Sequence, residues 1–358
     1  MFTRMMAWLP DGFGIRTGAT ARAAAAAGTG PLRAWPSPGR PAATGAAAAV
    51  TAITMAVLMT GSARADSGAT STSPAPPTGQ LQEIADFGPN PTGLRMHLYV
   101  PPRLGHRPAV LVVLHYCTGT GPAMFEATEY ASMADRLGFV VVYPTAGRAD
   151  GCFDVTSPEA LRRGGGSDPV GITSMVRHVQ RHLDTDRRRV FAAGFSSGAE
   201  MVNVLLATYP DVFAAGSVMA GTPVGCYTAD DGGWNPNCEN GGTIRTPRQW
   251  GDAVRAAYPG YTGSRPRVQL WHGTADEVLA YANFGEEIKQ WTNVLHARWH
   301  GTDQPRPTWT RTRFADRFGH VVVEAYSIES GAHGIAFSED GIEKYAIDFF
   351  GLARHPIR

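Results

Sequence analysis

The segment Gly194-Phe195-Ser196-Ser197-Gly198 constrains this chain more than any other stretch. It has the form G-x-S-x-G, it follows the apolar run Arg189-Val190-Phe191-Ala192-Ala193, and a helical pattern starts near Ala199. Strand, serine between glycines, then helix is the order of a nucleophile elbow. There the backbone turns so sharply that the serine hydroxyl stands exposed at the top of a sheet. With 42 glycines among 358 residues, a lone match of this form also arises by chance, so the context has to decide.

The context supplies both partners such a serine needs, an acid and then a histidine, each on a loop after a later strand. Arg267-Val268-Gln269-Leu270-Trp271-His272-Gly273-Thr274-Ala275-Asp276 reads as a strand running into a tight turn, with Asp276 just past its end. Ala325-Tyr326-Ser327-Ile328-Glu329-Ser330-Gly331-Ala332-His333-Gly334 reads the same way and places His333 on the next loop. Ser196, Asp276 and His333 are therefore the expected nucleophile, acid and base, with the adjacent Glu277 as the alternative acid. The remaining pattern is α/β. Strands are predicted over Met96–Val100, Ala109–His115, Phe139–Tyr143, Val190–Gly194, Ala214–Met219, Val268–His272 and Val321–Ile328. Helices are predicted over Phe125–Leu137, Ile172–Leu183, Ala199–Thr208 and Asn283–Leu295. Short β-rich runs separated by helices imply a mostly parallel sheet covered by helices on both faces, an α/β-hydrolase fold. In that fold the turn Leu114-His115-Tyr116-Cys117-Thr118-Gly119 ends the second strand, where one oxyanion N–H is expected from Cys117 or Thr118, and a second from Ser197. The Gly- and Asn-rich stretch Gly221 to Gly263 is expected to lie over the site.

Residues 1–65 read as an export signal. Arg33 and Arg40 precede the 14-residue apolar run Ala46 to Met59, which is too short to span a bilayer and ends at Ala63-Arg64-Ala65, an A-x-A-type cleavage site. Residues 66–80 follow as a Ser/Thr/Pro leader, and 81–358 as one catalytic domain. An exported chain makes the four cysteines legible as two disulfides. Sequence proximity suggests Cys117–Cys152 and Cys226–Cys238, although four cysteines allow three pairings. A net charge of +1 gives no electrostatic footprint for nucleic acid or an anionic membrane surface. His178 with His182, and His296 with His300, have metal-pair spacing but lack H-E-x-x-H or a third ligand, so neither metal nor cofactor is expected.

Several further segments together resemble the secreted acetylxylan esterases of carbohydrate esterase family one. They are His115-Tyr116-Cys117-Thr118-Gly119-Thr120, Gly166-Ser167-Asp168 with Ile172-Thr173-Ser174-Met175-Val176-Arg177, Tyr209 to Ser217, Ala257-Tyr258-Pro259-Gly260-Tyr261-Thr262-Gly263, Trp271 to Asp276, and Glu286 to Asn293. Polyhydroxybutyrate-depolymerase-like and feruloyl esterases form the same group, and the match runs from about Gln82 to Leu352. The resemblance implies a secreted serine esterase acting on acetylated xylan or a related plant cell-wall polysaccharide. Feruloyl or short-chain polyhydroxyalkanoate esters are the alternative substrates, and an inactive polysaccharide-binding scaffold is the non-enzymatic alternative. It also implies that Trp234 lines the cleft, a core position being the alternative, and Tyr116 is the other substrate-contact candidate. Trp271 and Trp291 are expected in the core. Two departures bear on the cleft: no Asn-x-Pro follows His333, and Phe153 stands where relatives usually carry Trp.

Overall fold

The computed structural model describes residues 78–227 and 235–353. The signal segment, the leader up to residue 77 and Trp234 lie outside the described residues. In chain order the first half runs β1 (Leu81–Ile84), β2 (Arg95–Tyr99), β3 (Val110–Leu114), α1 (Gly121–Ala127), α2 (Tyr130–Leu137), β4 (Val140–Thr145), α3 (Asp168–His182), β5 (Val190–Phe195) and α4 (Ser197–Thr208). The second half adds β6 (Ala215–Met219), α5 (Pro236–Glu239), α6 (Pro247–Ala257), β7 (Arg267–Gly273) and α7 (Ala282–Val294). It closes with β8 (Arg298–Arg306), β9 (Trp309–Ala315), β10 (Val321–Ile328), α8 (Ile335–Ser338) and α9 (Ile342–Phe350).

The ten strands among the described residues form one sheet in the order β1-β2-β4-β3-β5-β6-β7-β10-β9-β8. From β4 to β10 the pairing is parallel, while β1, β2, β9 and β8 join antiparallel at the two edges. The central strands are wholly buried runs such as Val110-Leu111-Val112-Val113-Leu114, as a sheet covered on both faces requires. Alternate side chains serve alternate faces. Val190 and Ala192 of β5 pack in a cluster with Val176 of α3, Leu205 of α4, Trp250 of α6 and Trp291 of α7. Phe191 and Ala193 pack on the opposite face with Tyr130 and Met133 of α2 and Phe350 of α9.

Two expectations change. The single helix over Phe125–Leu137 is two helices, because Thr128 and Glu129 break the ladder between Ala127 and Tyr130. The second half of the stretch expected over the site contains α6, which begins with a capping box at Thr246 and Gln249 and buries Trp250 in the core. Just before β1, the Gly79 N–H donates to the Val100 carbonyl at 2.7 Å. Trp271 and Trp291 are fully buried, as expected.

Candidate active site

The parallel registers bring the carboxyl ends of β3, β5, β7 and β10 to one rim of the sheet: Leu114 pairs with Gly194, Met219 with Phe195 and Trp271, and Ile328 with Gly273. Loops leaving that rim carry the groups singled out from the sequence, which is where open α/β sheets place ligands. Ser196 sits between β5 and α4 at φ 55° and ψ −121°, a strained conformation for a residue with a side chain. Its N–H is anchored to the Met219 carbonyl at 3.0 Å. The flanking glycines have no room for a side chain. A Cβ on Gly194 would meet the Gly198 carbonyl, and one on Gly198 would meet the carbonyl oxygens of Leu114 and His115.

Although 137 residues separate them, His333 Nε2 lies 2.9 Å from Ser196 Oγ. Its Nδ1 lies 2.9 Å and 3.1 Å from the two carboxylate oxygens of Asp276. The acid and histidine loops are tied to each other. Thr274 N–H donates to Ile328 O and Ala275 N–H to Gly331 O, both at 2.9 Å, and Ser330 N–H donates to Thr274 Oγ1 at 2.8 Å. Glu277 turns elsewhere: its carboxylate accepts the backbone N–H of His333 at 3.2 Å and does not meet the ring. Burial works to raise the Asp276 pKa, but hydrogen bonds and charges from His272 and His333 outweigh it and hold this carboxyl well below the usual range.

The turn after β3 is held from three sides. His115 Nε2 accepts the Ala146 N–H at 3.0 Å, so the ring proton sits on Nδ1 and is donated to Tyr116 O at 2.6 Å. Burial pushes this imidazole down to about 4, keeping it neutral. The disulfide Cys117–Cys152 ties the turn to the segment whose next residue, Phe153, donates its N–H to Ser197 Oγ at 2.8 Å and packs its ring on His115. Cys226–Cys238 is the second bridge, as sequence proximity suggested. Thr118 N–H is engaged by Gly151 O at 3.2 Å. By contrast, no hydrogen bond among the described residues uses the N–H of Cys117, and Ser197 is the first residue of α4, where backbone N–H groups have no intrahelical acceptor. The positive end of the α4 dipole points at the same place.

An aromatic wall stands beside Ser196 and His333. Phe195 packs on the His333 ring at 5.0 Å, edge-on to Phe337 at 5.1 Å, and Tyr116 packs edge-on to both phenylalanines. Phe337 is 40% exposed on α8, four residues after His333. Sequence reasoning missed Phe337, His115 and the Phe153 N–H, because their places depend on contacts between distant loops. Spacing alone could have drawn attention to Phe337, one helical turn past the histidine. The segment Gly166-Ser167-Asp168 is structural: Asp168 opens α3 and its carboxylate accepts the Asp154 N–H at 2.7 Å.

Removing the Cys117–Cys152 bridge is expected to cost roughly 3–4 kcal/mol of stability. It should also lower kcat by up to the 10²–10³-fold range seen when an oxyanion donor is lost. Cys226→Ser with Cys238→Ser should destabilise comparably while leaving kcat near normal. Thermal melts beside ester-hydrolysis rates check this, and equal kcat losses in both double variants would refute it.

A parallel sheet with antiparallel edges, an elbow serine, and an acid and histidine on later loops of one rim define an α/β-hydrolase-type esterase. The chain belongs to the esterase PHB depolymerase family, whose model matches residues 94–313. It is 43% identical over 288 residues to the acetylxylan esterase of Coprinopsis cinerea, an alignment covering 78% of this chain and 75% of that one. It is 44% identical over 221 residues to the probable acetylxylan esterase A of Aspergillus niger, covering 61% and 73%. Among solved structures, the acetyl xylan esterase from Aspergillus awamori superposes with a TM-score of 0.72 at 35% identity, covering 76% of this chain and all of that one.

Proposed function

We propose that this chain is a secreted serine esterase that removes acetyl groups from acetylated xylan by two-step acyl transfer. The observation that carries the reading is the continuous path Ser196 Oγ, His333 Nε2, His333 Nδ1, Asp276, each step within 2.9 Å, in a chain related over most of its length to acetylxylan esterases. Ser196 Oγ attacks the acetyl carbonyl while His333 Nε2 takes its proton. Asp276 holds the ring and stabilises the imidazolium. The oxyanion is received by the N–H groups of Cys117 and Ser197, with Thr118 excluded by its bond to Gly151. His333 then protonates the departing sugar oxygen. A water molecule, deprotonated by the same nitrogen, cleaves the acetyl-serine to acetate and restores the hydroxyl. Every proton has a protein donor or acceptor, so activity is expected to survive chelation.

Tyr116 and Phe337 give the rim an apolar face for a sugar ring, and Trp234 is the third contact we assign. Export follows from the 1–65 signal reading. Among the described residues no helix is long and apolar enough to cross a membrane.

The test is acetate release from acetylated xylan, beside 4-nitrophenyl acetate and butyrate, methyl ferulate and polyhydroxybutyrate. A closed pocket changes binding by about 1–3 kcal/mol per methylene. The acetate-to-butyrate step should therefore lower kcat/KM by tenfold or more. Equal or greater kcat/KM on ferulate or polyhydroxybutyrate would assign the site to those esters.

A further inference from the structure

Asp276 is held between two imidazoles. His333 is one; the other is His272, four residues earlier in β7, whose Nε2 lies 3.1 Å from Asp276 Oδ2 and 2.8 Å from Leu279 O. Both neighbours of that nitrogen are acceptors, so Nε2 carries a proton and shares it between them. The second carboxylate oxygen accepts the N–H groups of Val278 at 2.9 Å and Leu279 at 2.8 Å. With His333 Nδ1 in place, the carboxylate cannot rotate away from the triad without breaking several bonds at once.

Behind His272 lies another acid, Glu287 of α7. The side chains of His272, Asp276 and Glu287 are all fully buried. Asn203 Nδ2 donates to Glu287 Oε1 at 2.6 Å, whereas Glu287 Oε2 and His272 Nδ1 are buried without a hydrogen-bond partner among the described residues. A histidine packed only for shape would not be set between two buried acids, since a buried charge is tolerated only where opposite charge offsets it. Burial works to lower the His272 pKa, but the Asp276 bond, the charges of Asp276 and Glu287 and the Leu279 carbonyl outweigh it, so its pKa is raised. Burial pushes Glu287 up to about 7. The other groups facing this cluster are His333 across Asp276, Glu277 on the His333 backbone, and Glu200 of α4, bonded to Thr222 and Tyr227 and also pushed up to about 7 by burial.

We propose that His272 is a positioning residue for the reaction: it clamps Asp276 against His333. This rests on the triad reading above. Without the clamp, Asp276 loses one of its two imidazole partners and is freer to swing away from His333.

The test uses 4-nitrophenyl acetate and the full-length chain carrying His272→Phe or His272→Gln. His272→Phe should lose kcat on the order of 10- to 100-fold, the worth of one hydrogen bond to a charged group, with KM little changed. His272→Gln keeps an N–H near the place of Nε2 and should recover most of kcat. A His272→Phe enzyme with unchanged kcat, or a His272→Gln enzyme no better than His272→Phe, overturns the clamp. Should His272→Phe fail to fold, nitrogen-15 NMR of the histidines in the unsubstituted protein decides. His272 Nε2 protonated across the active pH range supports the clamp, and an unprotonated Nε2 overturns it. Ser196→Ala, assayed alongside, separates the two readings: residual full activity there sinks the triad, whatever His272 does.

Discussion

Ser196→Ala and His333→Ala are each expected to cut kcat on the order of 10⁶-fold while the protein stays folded, because members of such a unit fail together and their losses do not add. Ser196 Oγ and His333 Nε2 stand 2.9 Å apart, so removing either ends proton transfer at the start of the reaction. Asp276→Asn should cost less, about 10⁴-fold, since the nucleophile and base remain but the ring loses the acceptor that fixes its tautomer. Glu277→Gln is the discriminating control. Among the described residues its side chain hydrogen-bonds only to the His333 backbone, at 3.2 Å, so its kcat should stay within about threefold of normal. Near-normal activity in Asp276→Asn with loss in Glu277→Gln would reverse the acid assignment. Circular dichroism and melting temperature beside the rates keep unfolding apart from lost chemistry.

Gly198→Ala should be nearly as damaging for a different reason. Its new methyl would press on the carbonyl oxygens of Leu114 and His115, which belong to the sheet and the oxyanion turn and are backbone atoms that cannot rotate aside. Overpacking of this kind costs roughly 1–3 kcal/mol or more. A displacement of about 1 Å in the elbow can lower kcat around 100-fold. Gly285→Ala provides the contrast. It lies within α7, where a Cβ meets nothing within 4 Å, so it should be neutral or stabilise by about 0.5–1 kcal/mol. Paired melts and kcat measurements check both, and a Gly198→Ala protein with normal kcat would mean the elbow is looser than its contacts require.

Much of the scaffold is legible in the sequence because the central strands are short, continuous apolar runs. Val321–Ile328 is found at its predicted limits, and Ala214–Met219 differs by one residue. The edge strands are not legible. β8 is mostly exposed, carries Gly301 and Pro305, and owes its place to pairing with β9 rather than to any hydrophobic run. β1 has only four half-buried or exposed residues and is defined by its partner β2. α6 was hidden in a Gly- and Asn-rich surrounding, although Thr246, Pro247 and Gln249 carry a helix-start signal.

By itself the sequence determined the chemical identities: a serine between glycines after a strand, an acid and a histidine after two later strands, and cysteines near enough in the chain to pair. Such features follow from local sterics and chain order, which each segment carries with it. Only the tertiary structure decided which of Asp276 and Glu277 faces the imidazole, which N–H of the Cys117-Thr118 turn is left unbonded, and that His272 meets Asp276 from behind. Each of these depends on a few tenths of an ångström in how the loops at one rim of the parallel sheet meet, whether the partners lie four residues apart, as His272 and Asp276 do, or 57, as Asp276 and His333 do, and no local pattern encodes that distance.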